Sequence, residues 1–152
     1  MDNTEFLKKA IEKARESVAQ GGFPAGAIVV KDGKIIGEGI SIGNKLNDPT
    51  SHGEMSAVRD ACKNIASSDL NGSTLYASME PCSMCHSASM WSGIQKIVFA
   101  CSKVKVSPEY YGGTYKTVSL NETFNRPLEI VQQGELEEES LEVVKLWEAT
   151  FL

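Results

Sequence analysis

The sequence predicts a layered α/β domain in which strands alternate with helices. Three observations predict it. Apolar residues recur at helical spacing near both ends of the chain and in one stretch between them, apolar runs of strand length separate these stretches, and Asp32-Gly33 marks a hairpin. At 152 residues the chain is most simply one domain, residues 1–152, and is long enough for a substantial core.

The first half of the chain predicts a helix, a hairpin and a second helix. The first helix has one apolar face, formed by Phe6, Leu7, Ala10, Ile11, Ala14 and Val18. It stops at Gly21-Gly22, and strands are predicted over 25–30 and 34–40, on either side of the Asp32-Gly33 turn. The second helix follows His52 and repeats apolar residues at helical intervals, namely Met55, Val58, Ala61, Cys62 and Ile65.

The second half predicts three more strands and two more helices. The strands are expected over 73–79, 96–101 and 128–131, with a helix from near Pro81 to about Ser92 after the first of them. A closing helix is indicated by Leu136, Leu141, Val144, Leu146 and Trp147. Residues 102–126 show no clear pattern. Tyr110-Tyr111 within this segment fit either a surface loop with tyrosine packed beneath it or the wall of a pocket.

Composition excludes some classes of protein and disfavours others. The formal net charge is −5, with 15 basic against 20 acidic residues, and this disfavours a general nucleic-acid binder, which needs Lys and Arg against phosphate. No apolar run approaches the roughly 20 residues that span a bilayer, so no membrane partner is expected. The amino terminus shows no secretory signal, and the cysteine usage suits a reducing compartment, so we expect a cytoplasmic location.

Two short motifs predict a zinc site with an open position. His52-Gly53-Glu54 and Pro81-Cys82-Ser83-Met84-Cys85 supply one imidazole, one carboxylate and two thiols. Structural zinc normally takes four protein ligands, whereas three ligands leave a place for a water that the metal acidifies. We therefore predict His52, Cys82 and Cys85 as Zn²⁺ ligands and Glu54 as the catalytic acid and base.

The spacing of these motifs supports this division of roles. Residues two apart on a helix lie about 200° apart around its axis, so His52 and Glu54 cannot both be ligands in a regular helix. At an irregular first turn, one can bind the metal while the other reaches a metal-bound water. Cys82 and Cys85 are three apart with Pro81 ahead of them, which places both sulfurs near a helix N-terminus that favours thiolate.

Other cysteine and histidine residues have simpler interpretations. A Cys-x-x-Cys pair taken alone also fits a redox pair or half of a four-ligand zinc site. Cys62 lies on the apolar face of its helix and Cys101 ends a strand, so we expect both to pack in the core. His86 follows a predicted ligand, and we expect it to support the site from behind or to lie at the surface.

The paired motifs resemble the signature of the zinc-dependent cytidine deaminase superfamily. Three further stretches resemble its branch of nucleobase (guanine or cytosine) and tRNA-adenosine deaminases, and the likeness is nearly continuous from about Phe6 to Ala100. These stretches are Gly22-Phe23-Pro24-Ala25-Gly26-Ala27-Ile28-Val29-Val30, Asn47-Asp48-Pro49-Thr50 and Thr74-Leu75-Tyr76-Ala77-Ser78-Met79-Glu80. The resemblance implies a three-layer α/β/α fold with a central mixed sheet of about five strands, and a homodimer.

The resemblance implies hydrolytic deamination of a nucleobase. An exocyclic amine becomes a carbonyl and ammonia is released, with Zn²⁺ and Glu54 activating water. Because the chain is acidic, we expect the substrate to be a small free base or nucleoside, guanine-like or cytosine-like. A tRNA-specific adenosine deaminase and a non-catalytic zinc-binding partner subunit are the alternatives.

Several residues are predicted to contact the substrate. The resemblance implies backbone N–H groups near Gly53 or Cys82. The expected pocket walls are Phe23, Ala27, Trp91 and Tyr111.

One predicted contact departs from the pattern of the branch. The branch usually carries an asparagine against the base eleven positions before the zinc histidine, and here that position is Ser41. Asn44 lies three residues further on and is the possible substitute. The sequence leaves open which of the two contacts the base.

Overall fold

A five-stranded mixed sheet forms the centre of the protein in the computed structural model, which describes residues 2–151. Its strands are β1 (Phe23–Lys31), β2 (Lys34–Ser41), β3 (Ser73–Met79), β4 (Lys96–Cys101) and β5 (Glu129–Gln132). The spatial order is β2-β1-β3-β4-β5, in which β1 is antiparallel to β2 and β3, while β3, β4 and β5 are parallel. The predicted mixed sheet of about five strands is confirmed.

Helices connect the strands and cover the sheet. They are α1 (Asn3–Ala19), α2 (Gly43–Leu46), α3 (Gly53–Ile65), α4 (Ser83–Trp91), α5 (Thr117–Glu122) and α6 (Glu137–Ala149). Single 3-10 turns occupy Lys103–Lys105, Pro108–Tyr111 and Gly134–Leu136. No helix among residues 2–151 combines the length and the apolar character that crossing a membrane requires.

The alternation of side chains along β1 separates two cores. Ile28 and Val30 are buried on one face together with residues of α1 and α6, whereas Ala27 and Val29 are buried on the other face together with residues of α3. Successive residues of a strand point to opposite faces, so a strand that is apolar throughout is expected to be covered on both sides. The predicted three-layer α/β/α arrangement is confirmed.

The turn between β1 and β2 has the conformation that its sequence predicts. Asp32 and Gly33 both have positive φ, at 51° and 74°, and Lys31 pairs with Lys34 across them. Two positive φ angles are the mark of a type I′ turn, whose twist matches that of the flanking strands.

The structure adds elements that the sequence pattern did not reveal. The short helix α2 and the two 3-10 turns within residues 102–126 were not predicted, because elements of three or four residues are too short to show a period. The same segment contains α5, and β5 begins at Glu129 rather than at residue 128.

Helix α3 lies unusually close to β2 because glycines face it. A Cβ added at Gly39 would lie 2.1 Å from the Gly53 carbonyl oxygen and 2.3 Å from the Ala57 nitrogen. One added at Gly37 would lie 2.5 Å from the Ala57 carbonyl oxygen. Real side chains do not tolerate such contacts, so these two glycines set the depth at which the first turn of α3 rests on the sheet.

Gly39→Ala is therefore expected to destabilise the fold by about 3 kcal/mol, since overpacking against backbone atoms forces a helix to move. The measurement is urea unfolding at fixed zinc concentration. Gly134→Ala is the matched control, because an added Cβ there meets no atom within 4 Å, and its free energy of unfolding should stay within about 0.5 kcal/mol of the parent. Equal effects of the two substitutions would contradict the close-packing account.

Candidate metal centre

Two helix N-termini point at one place, the end of the sheet where β2 and β3 finish. His52 directly precedes α3 and Cys82 directly precedes α4, and both have extended backbone, with φ near −70°. Each residue is therefore the N-cap of its helix, and its side chain lies outside the regular helical turns. Cys85 lies in the first turn of α4, three residues after Cys82, so both sulfurs lie on the same side.

The distances between the three side chains fit a tetrahedral zinc ion. His52 Nδ1 lies 3.5 Å from Cys82 Sγ and 3.6 Å from Cys85 Sγ. With bonds of about 2.05 Å to nitrogen and about 2.3 Å to sulfur, tetrahedral zinc holds a nitrogen and a sulfur about 3.6 Å apart. His52, Cys82 and Cys85 are thus placed to bind Zn²⁺, and the predicted ligand set is brought together.

The thiols are electrostatically prepared for a cation. Hydrogen bonds from Cys85 and from His52 lower the pKa of Cys82 to about 4. The bond to Cys82, together with burial, raises the pKa of Cys85. One proton is therefore held between two sulfurs, and a divalent cation that binds both as thiolates displaces it.

Glu54 lies beside this ligand set and is almost completely buried, at 6% exposure. Burial, and next to it the negative charge of Cys82, raises the pKa of Glu54 from its ordinary value to about 7. A carboxyl group with a pKa near 7 is suited to both accepting and donating a proton at neutral pH. The residue predicted as acid and base therefore has the required environment.

A cavity of about 550 Å³ opens onto these groups. His52, Glu54 and Cys82 form its floor, and its size falls within the roughly 300–1,000 Å³ of small-molecule sites. The remaining lining residues belong to elements from both halves of the chain. These are α1 and the loop after it, β1, the end of β2, α2, the loop before His52, the end of β3, the 3-10 turn at 108–111, and α6 with the residues that follow it.

Four of the residues named above as predicted or possible substrate contacts line the cavity. They are Phe23, Ser41, Asn44 and Tyr111. Asn44 is partly committed, because its Nδ2 donates to the Gly21 carbonyl oxygen at 2.9 Å. The Ser41 N–H donates to Ser17 Oγ at 3.0 Å, which fixes the backbone there. Tyr111 donates its hydroxyl to the Glu80 carbonyl oxygen at 2.7 Å, and burial raises its pKa, so it remains a donor. Contact of these residues with a substrate stays a prediction.

Two predicted wall residues are placed elsewhere, and those predictions are wrong. Ala27 is fully buried in the core between β1 and α3, because it lies further along the strand than Ala25, which lines the cavity. Trp91 ends α4 and is 81% exposed, since two helical turns carry it away from the cysteines at the start of that helix. Gly53 packs against β1, where an added Cβ would lie 3.0 Å from Gly26 Cα, and a substrate contact from its N–H stays a prediction.

The other two cysteines and His86 are buried or partly buried. Cys62 is half-buried against one core and Cys101 is buried in another, so core packing is confirmed for both. His86 is buried rather than exposed. It hydrogen-bonds Asn121 at 2.9 Å and lies 5.6 Å from the Phe124 ring, which connects α4 to the region of α5.

Sequence reasoning missed an aromatic cluster in the cavity wall. Phe23, Tyr110 and Trp147 contact one another edge to face at 5.0–5.5 Å between ring centroids. Phe151 also contacts Trp147 edge to face, at 4.8 Å. Tyr110 also donates to Glu148 at 2.5 Å. Phe23, Tyr110 and Trp147 are far apart in the chain, so only the fold brings them together.

The chain is similar to a deaminase family model and to individual deaminases. Residues 1–101 match the family model for the cytidine and deoxycytidylate deaminase zinc-binding region. The chain is 40% identical over 100 residues to a tRNA-specific adenosine deaminase of Aquifex aeolicus, covering 66% of each protein. It is 44% identical over 101 residues to a guanine deaminase of Bacillus subtilis, covering 66% of this chain and 65% of that protein. The chain thus spans about two thirds of the length of these relatives.

Solved structures give the same two kinds of relative. A structure from a study of A-to-I editing by tRNA:A34 deaminases matches 92% of this chain and 99% of its own, with a TM-score of 0.80 and 28% identity. An X-ray structure of guanine deaminase from Bacillus subtilis matches 98% of this chain and 95% of its own, with a TM-score of 0.70 and 33% identity. The similarity therefore extends beyond the zinc-binding region to the whole fold.

Cys85→Ser is expected to reduce bound zinc from about one per chain to a small fraction, because an alcohol replaces a thiolate ligand. Cys62→Ser is the matched control, since Cys62 packs in the core away from the ligand set, and it should keep the parental zinc content. Zinc is measured by atomic absorption after dialysis against a weak chelator. Full zinc retention by Cys85→Ser would contradict the assigned ligand set.

Proposed function

The chain belongs to the family that carries the cytidine and deoxycytidylate deaminase zinc-binding region, and we propose that it is a zinc-dependent hydrolytic deaminase of a free nucleobase or nucleoside. The observation that carries the proposal is the position of the buried Glu54 carboxylate, which shares one cavity with His52 and Cys82. A site that only stabilised the fold would not need a titratable group with a pKa near 7 beside its ligands.

The proposed mechanism assigns most steps to Glu54. His52, Cys82 and Cys85 would hold zinc, which would supply the Lewis acidity that lowers the pKa of a water molecule. Glu54 accepts a proton from the attacking water as the carbon–oxygen bond forms at the amine-bearing ring carbon. It delivers this proton to the ring nitrogen, accepts a second proton from the newly added hydroxyl group and delivers that proton to the departing amine. The carbon–nitrogen bond breaks, ammonia leaves and a carbonyl remains.

The charge of the cavity supports a substrate without phosphate. The charged side chains among the lining residues within 2–151 are Asp48, Glu54 and Glu80, beside His52, and the lining includes neither Lys nor Arg. A phosphate group would enter a surface of its own sign without a partner, which costs binding energy. An uncharged base or nucleoside meets no such penalty.

The shape and polarity of the cavity support the same substrate class. Its far wall is the aromatic cluster of Phe23, Tyr110, Trp147 and Phe151, which offers ring faces and edges to a flat heterocycle. Few convergent polar groups within apolar walls are typical of sites for small, neutral ligands. We therefore place a nucleobase ring between this cluster and the metal ligands.

A tRNA-specific adenosine deaminase is the second candidate, because a relative with that name is 40% identical to this chain over 100 residues. It requires a basic surface beside the metal centre to hold the phosphates that flank a flipped-out base. The acidic lining and the net charge of −5 favour the small substrate over tRNA. A non-catalytic zinc-binding subunit is disfavoured by the presence and environment of Glu54.

An ammonia-release screen over guanine, cytosine, isocytosine, adenine, their nucleosides and aminotriazines tests the proposal. We expect turnover of at least one small compound, with kcat reduced roughly 10²–10⁴-fold in Glu54→Gln while zinc is retained. Glu12→Gln is the control, since Glu12 is exposed on α1. Inosine formation in tRNA with no turnover of any small compound would overturn the small-substrate proposal. Full activity in Glu54→Gln would overturn the mechanism.

Ser41→Ala is expected to raise KM about tenfold and to change kcat less than about twofold, if the hydroxyl contacts the base in both ground and transition states. Ser41→Asn restores the residue that the pattern of the branch implies and should shift the ranking of substrates toward guanine or cytosine. Ser119→Ala, at an exposed position of α5, is the control. Unchanged kinetic constants and ranking in both Ser41 variants would exclude Ser41 from the substrate site.

A further inference from the structure

The segment formed by residues 102–117, named here the tyrosine segment, contains no strand and yet forms part of the cavity wall. It leaves the sheet at the end of β4 and reaches the start of α5 through two 3-10 turns. Tyr110 and Tyr111 lie near its middle and both line the cavity. Irregular segments are held by side-chain contacts rather than by a hydrogen-bonded ladder, so those contacts decide where the tyrosines stand.

One carboxylate binds both ends of the tyrosine segment. Glu80 Oε1 accepts the Lys103 N–H at 3.1 Å and the Ser102 hydroxyl at 3.4 Å. Glu80 Oε2 accepts the Thr117 hydroxyl at 2.9 Å. Thr117 is buried, so this contact is shielded from competing water. Hydrogen bonds to a charged acceptor are the strong ones, and here they close a loop that would otherwise be free to open.

The backbone of Glu80 extends the same connection. Its N–H donates to the Cys101 carbonyl oxygen at 2.7 Å, and its carbonyl oxygen accepts the Tyr111 hydroxyl at 2.7 Å. Beyond Pro81 and Cys82, the Ser83 N–H donates to the Tyr115 hydroxyl at 3.0 Å. The short stretch 80–83 that carries a metal ligand is thus also the surface on which the tyrosine segment rests.

A cation completes the arrangement inside the segment. Lys103 Nζ lies over the Tyr115 ring at 4.3 Å from its centroid and donates to the Tyr115 carbonyl oxygen. Since the Lys103 N–H is bound by Glu80, the position of this lysine follows from the position of the carboxylate. Glu80 therefore organises the segment at its start, at its end and, through Tyr111, at its centre.

We propose that Glu80 is a positioning residue that holds the tyrosine segment against the metal-ligand stretch, so that Tyr110 and Tyr111 are preformed as a wall for the substrate. Without the carboxylate, substrate binding has to order the segment, and this cost appears in KM. Glu54 and the three ligands stay in place, so the chemical step is preserved. The kinetic part of this inference rests on the proposed function, whereas the structural part does not.

The test measures hydrogen exchange and enzyme kinetics in Glu80→Ala and in Thr117→Val. Thr117→Ser is the conservative variant. Glu122→Gln is the control, because Glu122 is exposed on α5. In the zinc-loaded protein, we expect the Lys103 amide to exchange at least about tenfold faster in Glu80→Ala. KM should rise about tenfold and kcat should change less than about twofold, with zinc content unchanged. Thr117→Val should show a smaller change of the same kind, and Thr117→Ser should restore the parental values.

Unchanged exchange of Lys103 and of the peptides covering 102–117 would overturn the inference, whatever the substrate. A fall in kcat with KM unchanged would also overturn it, since that result assigns Glu80 to the chemical step. If no small compound in the screen is turned over, the proposed function fails while the exchange measurement still decides the role of Glu80. Because Thr117→Val removes only one hydroxyl contact, it keeps the test decisive should Glu80→Ala fail to fold.

Discussion

The convergence of one imidazole nitrogen and two sulfurs within metal-binding distance is the constraint on which the rest of the site depends. The nitrogen comes from the start of α3 and the sulfurs from the start of α4, so the two helices must approach the same end of the sheet. The order of the strands provides this approach. The strands β2 and β3, which precede the two ligand motifs, lie on either side of β1 and are both antiparallel to it, so they end at the same edge of the sheet. Close packing of α3 on Gly37 and Gly39 then fixes its depth, and Glu54 follows at the floor of the cavity.

Much of this arrangement could be predicted from the sequence, because the signals were local. Helical periodicity located α1, α3 and α6, the Asp32-Gly33 turn located the hairpin, and the two motifs located the ligand set. The failures concern positions set by the fold. Ala27 is predicted in the cavity wall, but it lies further along β1, where α3 covers it. Trp91 is predicted there as well, although it lies at the exposed end of α4. Residues that meet over large sequence separations, such as Phe23 and Trp147, leave no local pattern.

The residues that line the cavity fall partly inside and partly outside the region that matches the family model. The family model covers residues 1–101, which include all three ligands and Glu54. Tyr110, Tyr111, Trp147 and Phe151 lie outside that region and yet form much of the wall. Relatives named for guanine and for tRNA adenosine match the first part, so we expect the second part to contribute to discrimination between substrates. The ligand motifs therefore indicate the chemistry, whereas we expect the choice of base to depend on the tyrosine segment and α6 together with Ser41.

The most direct test of the central claim is zinc K-edge X-ray absorption of the zinc-loaded protein. The account predicts two sulfur ligands at about 2.3 Å and one imidazole nitrogen at about 2.0–2.1 Å, with one further oxygen ligand that exchanges with solvent. In Glu54→Gln the sulfur and nitrogen ligands should remain. A shell of four protein ligands, or a sulfur count other than two, would contradict the open site from which the proposed chemistry follows.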